Sequence, residues 1–313
     1  MMVEPSTLTT RLMTPLRITL RQLQVFVAVA EAGSTAAAAT VVSLTQSATS
    51  ASVNELERLL GAALFDRVGR GLVLNDEGRS LQVEARALLD AAHVLEQSHG
   101  EQRSLTRLQI GASTTIGNYL LPGLIRAFDD ALPGTRISAR IGNTAQIEAG
   151  VLDFSLDVGL IEGPAHDSDV VVLPWRFDEL LVVSAPSHDM ARRSANHRLD
   201  VGALRGAPWL MREPGSGTRE AVEHALLPRL HHLNETLSLG SSEAIKNAVA
   251  EGLGIACLSR CIVADMLADG RLVALNTSLP PLRRRFSLIH HRRKTLSYGL
   301  RRWIDTAMAT PNV

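Results

Sequence analysis

Hydrophobic positions recur at three- and four-residue spacing through the N-terminal third, then give way to short alternating runs. In LRQLQVFVAVAEAG, Leu20, Leu23, Phe26, Val27 and Ala30 share a helical face and Gly33 stops it, which predicts a first helix. The stretch from Ser34 to Arg70 reads as an alanine-rich helix, a tight break at Ser43-Leu44, and a longer helix. Thr45 and Ser47 suit an N-cap and first turn, because their hydroxyls can accept backbone N–H groups that a helix start leaves unpaired. Val53, Leu56, Leu59 and Leu60 make the apolar face of this helix, and Gln46, Ser50, Asn54 and Glu57 the polar one. Two helices with a tight joint predict a helix-turn-helix, whose second helix enters the DNA major groove. FDRVGRGLVLND then predicts a hairpin with its tip at Val68 to Gly71, making the unit winged. Arg67 and Arg70 would lie beside the sugar-phosphate backbone or in the minor groove; solvated surface arginines are the plainer reading.

Acidic residues open the next helix, in which Leu81, Ala85, Leu88, Ala92 and Leu95 follow the 4-3-4-3 spacing of a two-helix coiled coil. Such a seam predicts homodimerisation, with a core helix as the alternative. Ser98-His99-Gly100 ends it as a candidate hinge. Beyond it strands alternate with helices: LQIGAS, a helix around TIGNYLLPGLIRAFDDAL, RISARIG, TAQIEAGVL and LDVGLI predict a parallel sheet covered by helices. VVVLPW and ELLVVSAP read as two further strands, and a second α/β series follows Pro186. RRFSLIHHR is a last strand, and TLSYGLRRWIDTAMA a closing helix that returns to the first lobe. Two α/β lobes joined by crossing chain should enclose a cleft.

Composition narrows this picture little. Lys+Arg and Asp+Glu are both 32 in 313 residues, and only Lys246 and Lys294 are lysines. Between Leu16 and Asn75, Arg17, Arg21, Arg58, Arg67 and Arg70 face Glu31, Glu55, Glu57 and Asp66, so the DNA-binding stretch has little basic excess. No signal peptide and no run approaching ~18 apolar residues is visible, which predicts a cytoplasmic protein without a membrane partner. Residues 1–15 lack periodicity and read as a disordered tail, or as an over-long start ahead of Met13. Cys257 and Cys261 are too few for a disulfide framework and read as small buried residues.

Enzyme motifs fail on spacing. Pro214-Gly215-Ser216-Gly217 is not G-x-S-x-G, Arg293 stands where a P-loop needs glycine, and Cys257 fills the third glycine of a dinucleotide fingerprint. His231-His232 and His290-His291 are adjacent pairs whose side chains diverge, so no metal is expected and both pairs read as surface. The run Arg283-Arg284-Arg285 reads as a solvated strand or a subunit contact. What remains is a set of hydroxyl-bearing helix starts after strand ends. Ser113-Thr114-Thr115 and Gly142-Asn143-Thr144 lie in the first lobe, and Gly215-Ser216-Gly217-Thr218 and Ser241-Ser242 in the second. With Arg212 and Lys246 nearby, they favour a small anion, a carboxylate or an inorganic oxyanion, held in the cleft.

These residues resemble the LysR-type transcriptional regulators over nearly the whole chain, from LRQLQVFVAVAEAGS to the last helix. STTIGNYLLP, LDVGLIEGP, REPGSGTRE and GSSEAIKNAVAEGLGIACLSR are similar to the YeiE-like branch. The resemblance implies an α/β chain with an N-terminal all-α winged helix-turn-helix and a C-terminal two-lobed, periplasmic-binding-protein-like α/β domain. It implies a winged helix-turn-helix over 16–75, a linker or dimerisation helix and hinge over 76–100, and an effector-binding domain over 101–313. Lobe I would take about 101–185 and 285–313, and lobe II about 186–284. It implies a homodimer or tetramer on promoter DNA, no enzymatic activity, no cofactor, and a small effector in the cleft.

Base contacts then fall on Gln46, Ser47 and Ser50 and wing contacts on Arg67 and Arg70, with Thr35, Thr45 and Asn54 completing the set. Effector contacts fall on Ser113, Thr114, Thr115, Asn143 and Glu162, and on Ser216, Gly217, Thr218 and Ser242, to which the nearby cation Arg212 is added from the reading of the residues themselves. Ser47 stands where the family usually has proline and Ala51 where arginine is common, which shifts the expected readout from guanine toward DNA shape. A solute-binding or enzymatic α/β protein whose N-terminal helices serve only dimerisation is the alternative.

Overall fold

The computed structural model describes residues 15–69, 71–99 and 107–310, the side chains of 97–99 excepted. The chain divides into two compact units, Met1–Glu96 and Gln97–Val313. Among the described residues no helix is long and apolar enough to cross a membrane.

In the first unit, α1 (Leu20–Ala32) begins in a capping box, the Thr19 hydroxyl accepting the Gln22 N–H while the Gln22 side chain accepts the Thr19 N–H. It ends at Gly33, whose φ of 67° suits a residue without Cβ. α2 (Thr35–Val41) and α3 (Gln46–Leu60) follow, the turn between them passing through Ser43 at φ 54°. Thr45 caps α3, its hydroxyl accepting the Ala48 N–H at 3.2 Å. β1 (Phe65–Val68) and β2 (Gly71–Leu74) pair antiparallel as the wing, and α4 (Asp76–His99) leaves it.

Three details differ from periodicity. Leu20 is exposed, while α1 buries a second face, Val25, Ala28 and Val29, against Ala38 and Val53; Leu23 and Phe26 pack instead with Leu56 and Leu64. A helix clamped between two clusters has no single apolar stripe. On α3, Val53 and Leu56 are buried but Leu60 points outward. The expected seam on α4 is divided: Ala85 is buried and Leu81 packed in the helical core, because so small a unit needs the first turns of α4 to close it, whereas Leu88 and Leu95 are 50% and 64% exposed. α4 runs through Ser98 and His99, and Gly100 of the expected hinge lies outside the described residues.

The second unit is built on a mixed sheet. β3 (Arg107–Ser113) pairs parallel with β4 (Arg136–Gly142) and β5 (Val158–Ile161), as the βαβαβ reading requires, with α5 (Thr114–Tyr119), α6 (Leu121–Ala131) and α7 (Thr144–Leu152) between them. The helix expected around Thr115 to Leu132 is broken at Leu120, with Pro122 in the first turn of α6. β6 (Val170–Ser184) is one continuous strand rather than two, followed by the unanticipated short helices α8 (Asp189–Asn196) and α9 (Val201–Gly206). Pro174 is tolerated in β6 because the register shifts there, Phe286 facing Arg176 and Ser287 facing Pro174, so that Trp175 is the extra residue of a bulge.

The second lobe adds β7 (Trp209–Arg212), α10 (Gly217–Leu230), β8 (Glu235–Leu239), α11 (Ser242–Ala250), β9 (Ala256–Ser259), α12 (Arg260–Ala268) and β10 (Val273–Ala274). β11 (Leu282–His291) then runs antiparallel beside both β5 and β6. β6 therefore pairs with β9 and β10 at one end and β11 along its length, so two long strands carry the chain between lobes. α13 (Tyr298–Ala309) packs Leu300, Trp303 and Ala307 into the cluster of Phe128, the Trp303 and Phe128 rings 5.2 Å apart edge to face. His290 and His291 are buried, 9% and 2% exposed, contrary to the surface reading, because β11 lies inside the sheet.

A Cβ on Gly78, in the first turns of α4, would lie 2.1 Å from the Leu64 carbonyl oxygen. Helix propensity alone favours Gly78→Ala by about 1 kcal/mol. The backbone contact outweighs it, so we expect Gly78→Ala to lower the thermal midpoint followed by circular dichroism; a raised midpoint would show that propensity wins.

Candidate functional site

Two surfaces collect the chemistry picked out in the sequence, one in each unit. In the helical unit Thr35, Gln46, Ser50, Asn54 and Arg67 line one hollow of about 510 Å³ between α3 and the wing. Thr45 and Ser47 stand at the exposed start of α3, their hydroxyls 3.1 Å apart. Arg70 lies outside the described residues. Glu57 serves the frame, its carboxylate accepting the Leu64 N–H at 2.8 Å and so fixing the entry to the wing. The hollow thus presents two amides, hydroxyls and a guanidinium on the recognition helix and a hairpin, the elements that enter a groove and flank it.

The other surface lies where strand ends of the two lobes meet. Its centre is Arg284, read from the sequence as part of a solvated run but only 6% exposed. β11 alternates, and Leu282, Arg284 and Phe286 share its buried phase while Arg283 and Arg285 face out, a period-two signal present in the sequence. Arg284 Nε donates to Asp178 at 2.7 Å and one terminal nitrogen donates to Glu162 at 2.8 Å. Glu162 also accepts the Thr115 N–H at 2.5 Å, the Thr115 hydroxyl at 2.7 Å and the Thr218 hydroxyl at 2.7 Å. Ser259 closes the group by donating to Asp178 at 2.6 Å. Burial pushes the Glu162 carboxyl up, but the Arg284 charge and the Thr115 and Thr218 hydroxyls outweigh it and hold it below the ordinary value. Ser113 contributes in the same direction, although its hydroxyl has no hydrogen bond of ordinary geometry. Thr115, Glu162 and Thr218 are therefore engaged with one another and with Arg284.

A second centre is Arg212, 2% exposed at the end of β7. One terminal nitrogen donates to the Thr114 hydroxyl at 2.8 Å in lobe I and to the Ser242 hydroxyl at 2.7 Å in lobe II. Its other edge makes a bidentate pair with Glu213, at 2.7 and 2.8 Å. Asn143 caps α7 and donates its amide to Glu213 at 3.2 Å. Burial raises the Glu213 carboxyl, and the hydrogen bond and charge of Arg212 bring it below the ordinary value. Ser216 caps α10, and Gly217 sits where a Cβ would meet the Thr144 hydroxyl at 2.5 Å and the Gly163 nitrogen at 2.8 Å, so only glycine lets the lobes approach here.

Lys246, the other cation singled out, is not free. Burial opposes its charge, yet hydrogen bonds to Glu243, Tyr119 and Asp265 hold its pKa above the ordinary value. Tyr119 donates to Glu243 in turn, and burial followed by that bond pushes its phenol up to about 12. The cations of the cleft thus arrive neutralised by Glu162, Asp178, Glu213, Glu243 and Asp265, where the sequence suggested few fixed charges.

Residues 20–79 match the bacterial regulatory helix-turn-helix protein, lysR family, and residues 101–311 match the LysR substrate binding domain. The chain belongs to the LysR family of transcriptional regulators. It is 45% identical to the HTH-type transcriptional regulator YeiE of Escherichia coli over 290 residues, 93% of this chain and 97% of that protein. A full-length OxyR variant from Pseudomonas aeruginosa shares the fold, with TM-score 0.76 at 22% identity over 94% of this chain and 96% of that one. The regulatory domain of Synechocystis CcmR, solved in complex with 2-PG, is 31% identical with TM-score 0.59, covering 65% of this chain and 96% of that one. Family and relatives are regulators, not enzymes, which sets aside the enzymatic alternative.

Removing Arg284 leaves two buried carboxylates unpaired, which typically costs about 3–5 kcal/mol. Arg284→Met should lose roughly that much in urea unfolding near neutral pH. Because the folded pKa of Glu162 lies below the ordinary 4.5, its pairing stabilises fully above about that pH and is lost as pH falls through the depressed folded value. The stability gap between the parent and Glu162→Gln should therefore be open above that value and narrow below it; a gap independent of pH would mean the carboxylate is not ionised in the folded protein.

Proposed function

We propose that this LysR-family chain binds promoter DNA in the cytoplasm as a homodimer, assembling further to a tetramer, and that a small anion bound between its two α/β lobes gates that binding or the activation that follows. On this reading residues 16–75 are the DNA-binding domain, 76–100 the linker and hinge, and 101–313 the effector domain, with the lobe limits given above. The observation that carries it is the buried guanidinium of Arg212, held at once by a hydroxyl from each lobe, Thr114 and Ser242. A group bridging the two lobes at that point feels, and can set, their separation. The CcmR domain in complex with 2-PG supports a small molecule in this domain.

On the DNA side, Gln46, Ser47 and Ser50 meet base edges, with Thr35, Thr45 and Asn54 around them. Arg67 and Arg70 reach the phosphates or the minor groove. Leu88 and Leu95, exposed on α4, offer the remaining seam to a second copy. With Ala51 at the helix face and only a slight basic excess, two or more subunits acting together supply the affinity, their recognition helices one turn, ~34 Å, apart.

Gln46→Ala should weaken binding to a specific duplex by roughly 1–3 kcal/mol with relaxed sequence preference, and Arg67→Ala should weaken all sequences alike while reducing the salt slope by about 1. Fluorescence anisotropy at several salt concentrations separates the two, and absence of any sequence-specific duplex binding by the parent would sink the DNA reading.

For the effector, a thermal-shift series of the full chain with sulfate, inorganic phosphate and acetate should raise the midpoint with at least one of them, since a ligand of the folded state stabilises by mass action. Ser242→Ala should blunt that rise without altering DNA affinity in the absence of the anion. No shift with any anion would count against anionic gating.

A further inference from the structure

The cleft gathers hydroxyl-bearing helix starts from both lobes, yet the cations that would draw an anion into it are already paired. Arg284 lies between Glu162 and Asp178, all three less than one tenth exposed. Lys246 is held by Glu243 and Asp265. Arg212 is in a different position. Its inner nitrogen is fixed by Thr114 and Ser242, but its outer edge faces a single carboxylate, Glu213, whose side chain is 26% exposed.

We propose that the Glu213 carboxylate is a built-in competitor: it holds the place on Arg212 that an incoming anion takes, so binding is an exchange of one carboxylate for another oxyanion. This rests on the anionic reading of the cleft given above and names the residue that sets its affinity and selectivity. Three features carry it. The pair is bidentate, so the site on Arg212 is shaped for two oxygens about a carboxylate's width apart. The Asn143 amide, from the facing lobe, donates to the same Glu213 oxygen, so the carboxylate already sits at the point where both lobes converge. And Glu213 is on a short turn whose Gly215 has φ 83° and whose Gly215 carbonyl accepts the Ala145 N–H at 3.1 Å, so rotating the side chain into water does not require unfolding a helix or strand.

The exchange accounts for selectivity in physical terms. An anion that reaches Arg212 must outcompete a tethered carboxylate present at high effective concentration, which lowers the apparent affinity for every weakly held oxyanion alike. Only a ligand that also uses the Asn143 amide and the hydroxyls of Thr114 and Ser242 recovers the difference. The expelled Glu213 would then give up its bond to Asn143 across the lobes, linking occupancy of Arg212 to the lobe contact.

The test is isothermal calorimetry on the full chain, parent against Glu213→Gln and Glu213→Ala, with sulfate, inorganic phosphate and acetate as probes, and Arg212→Ala/Glu213→Ala as control. Glu213→Gln keeps the shape of the turn and decides the matter where Glu213→Ala does not fold. Loss of the competing charge should tighten at least one probe about tenfold or more, and the double variant should abolish the gain. The same probe should raise the thermal midpoint of the single variants more than that of the parent. Equal affinity in parent and variants overturns the competitor while leaving the anionic cleft standing. Weaker binding in the variants overturns it too, making Glu213 part of the ligand's own site. If no protein binds any probe, the anionic reading fails and this inference falls with it.

Discussion

The relation between the two lobes depends on one buried guanidinium. Arg284 stands on β11, one of the two strands that pass between lobes, and is tied to Asp178 on the other, to Glu162 and Thr115 in lobe I and to Thr218 in lobe II. Taking these charges out of water is expensive, and an apolar cluster of equal volume could match their net contribution to stability. What an apolar cluster lacks is direction. The planar fork of donors fixes where each partner stands, so the strand ends and helix starts of both lobes are held in register by bonds of 2.7–2.8 Å between groups that are wholly internal. The hydroxyls proposed to meet a ligand, Thr114 and Ser242, come from the same two lobes that Arg284 joins.

The same network explains why the candidate residues divide into two classes. Thr115, Glu162 and Thr218 satisfy one another, so they build the cleft wall. Thr114, Asn143 and Ser242 meet instead around the buried Arg212 and the partly exposed Glu213. Hydroxyls that are alike as helix caps in sequence therefore differ in what they can offer a ligand, according to whether a buried carboxylate already accepts their hydrogen bond.

How much of this was legible depended on the range of the forces involved. Caps and stops are local: Thr19, Thr45, Gly33 and Gly217 announce helix limits within four residues, and the helix-turn-helix, the wing and the βαβαβ series follow from them. Features decided by distant partners were harder. The continuity of β6 through Pro174 depends on β11, more than a hundred residues later, accommodating a bulge. The second buried face of α1 and the partial burial of the α4 seam depend on how a small helical unit closes its core. Arg284 was obscured by its two arginine neighbours, although strand alternation with Leu282 and Phe286 singles it out. Glu213 offered no periodic signal, because it lies in a turn and its meaning comes from Asn143, some seventy residues earlier.

A regulator's pocket faces a problem that charge alone cannot solve. A cleft with two or three unpaired cations would fill with whichever anion is most abundant, and occupancy would then report nothing. Here the internal carboxylates cancel that general attraction, and on the proposed exchange it is the departure of Glu213 that would release directional donors, the Asn143 amide and the edge of Arg212, beside the Thr114 and Ser242 hydroxyls. On that reading, discrimination would rest on the difference between ligands that satisfy this geometry and those that offer charge without it. Since these donors come from both lobes, a ligand bound as proposed would bear on the distance between the lobes, and selectivity and signal would arise from the same hydrogen bonds.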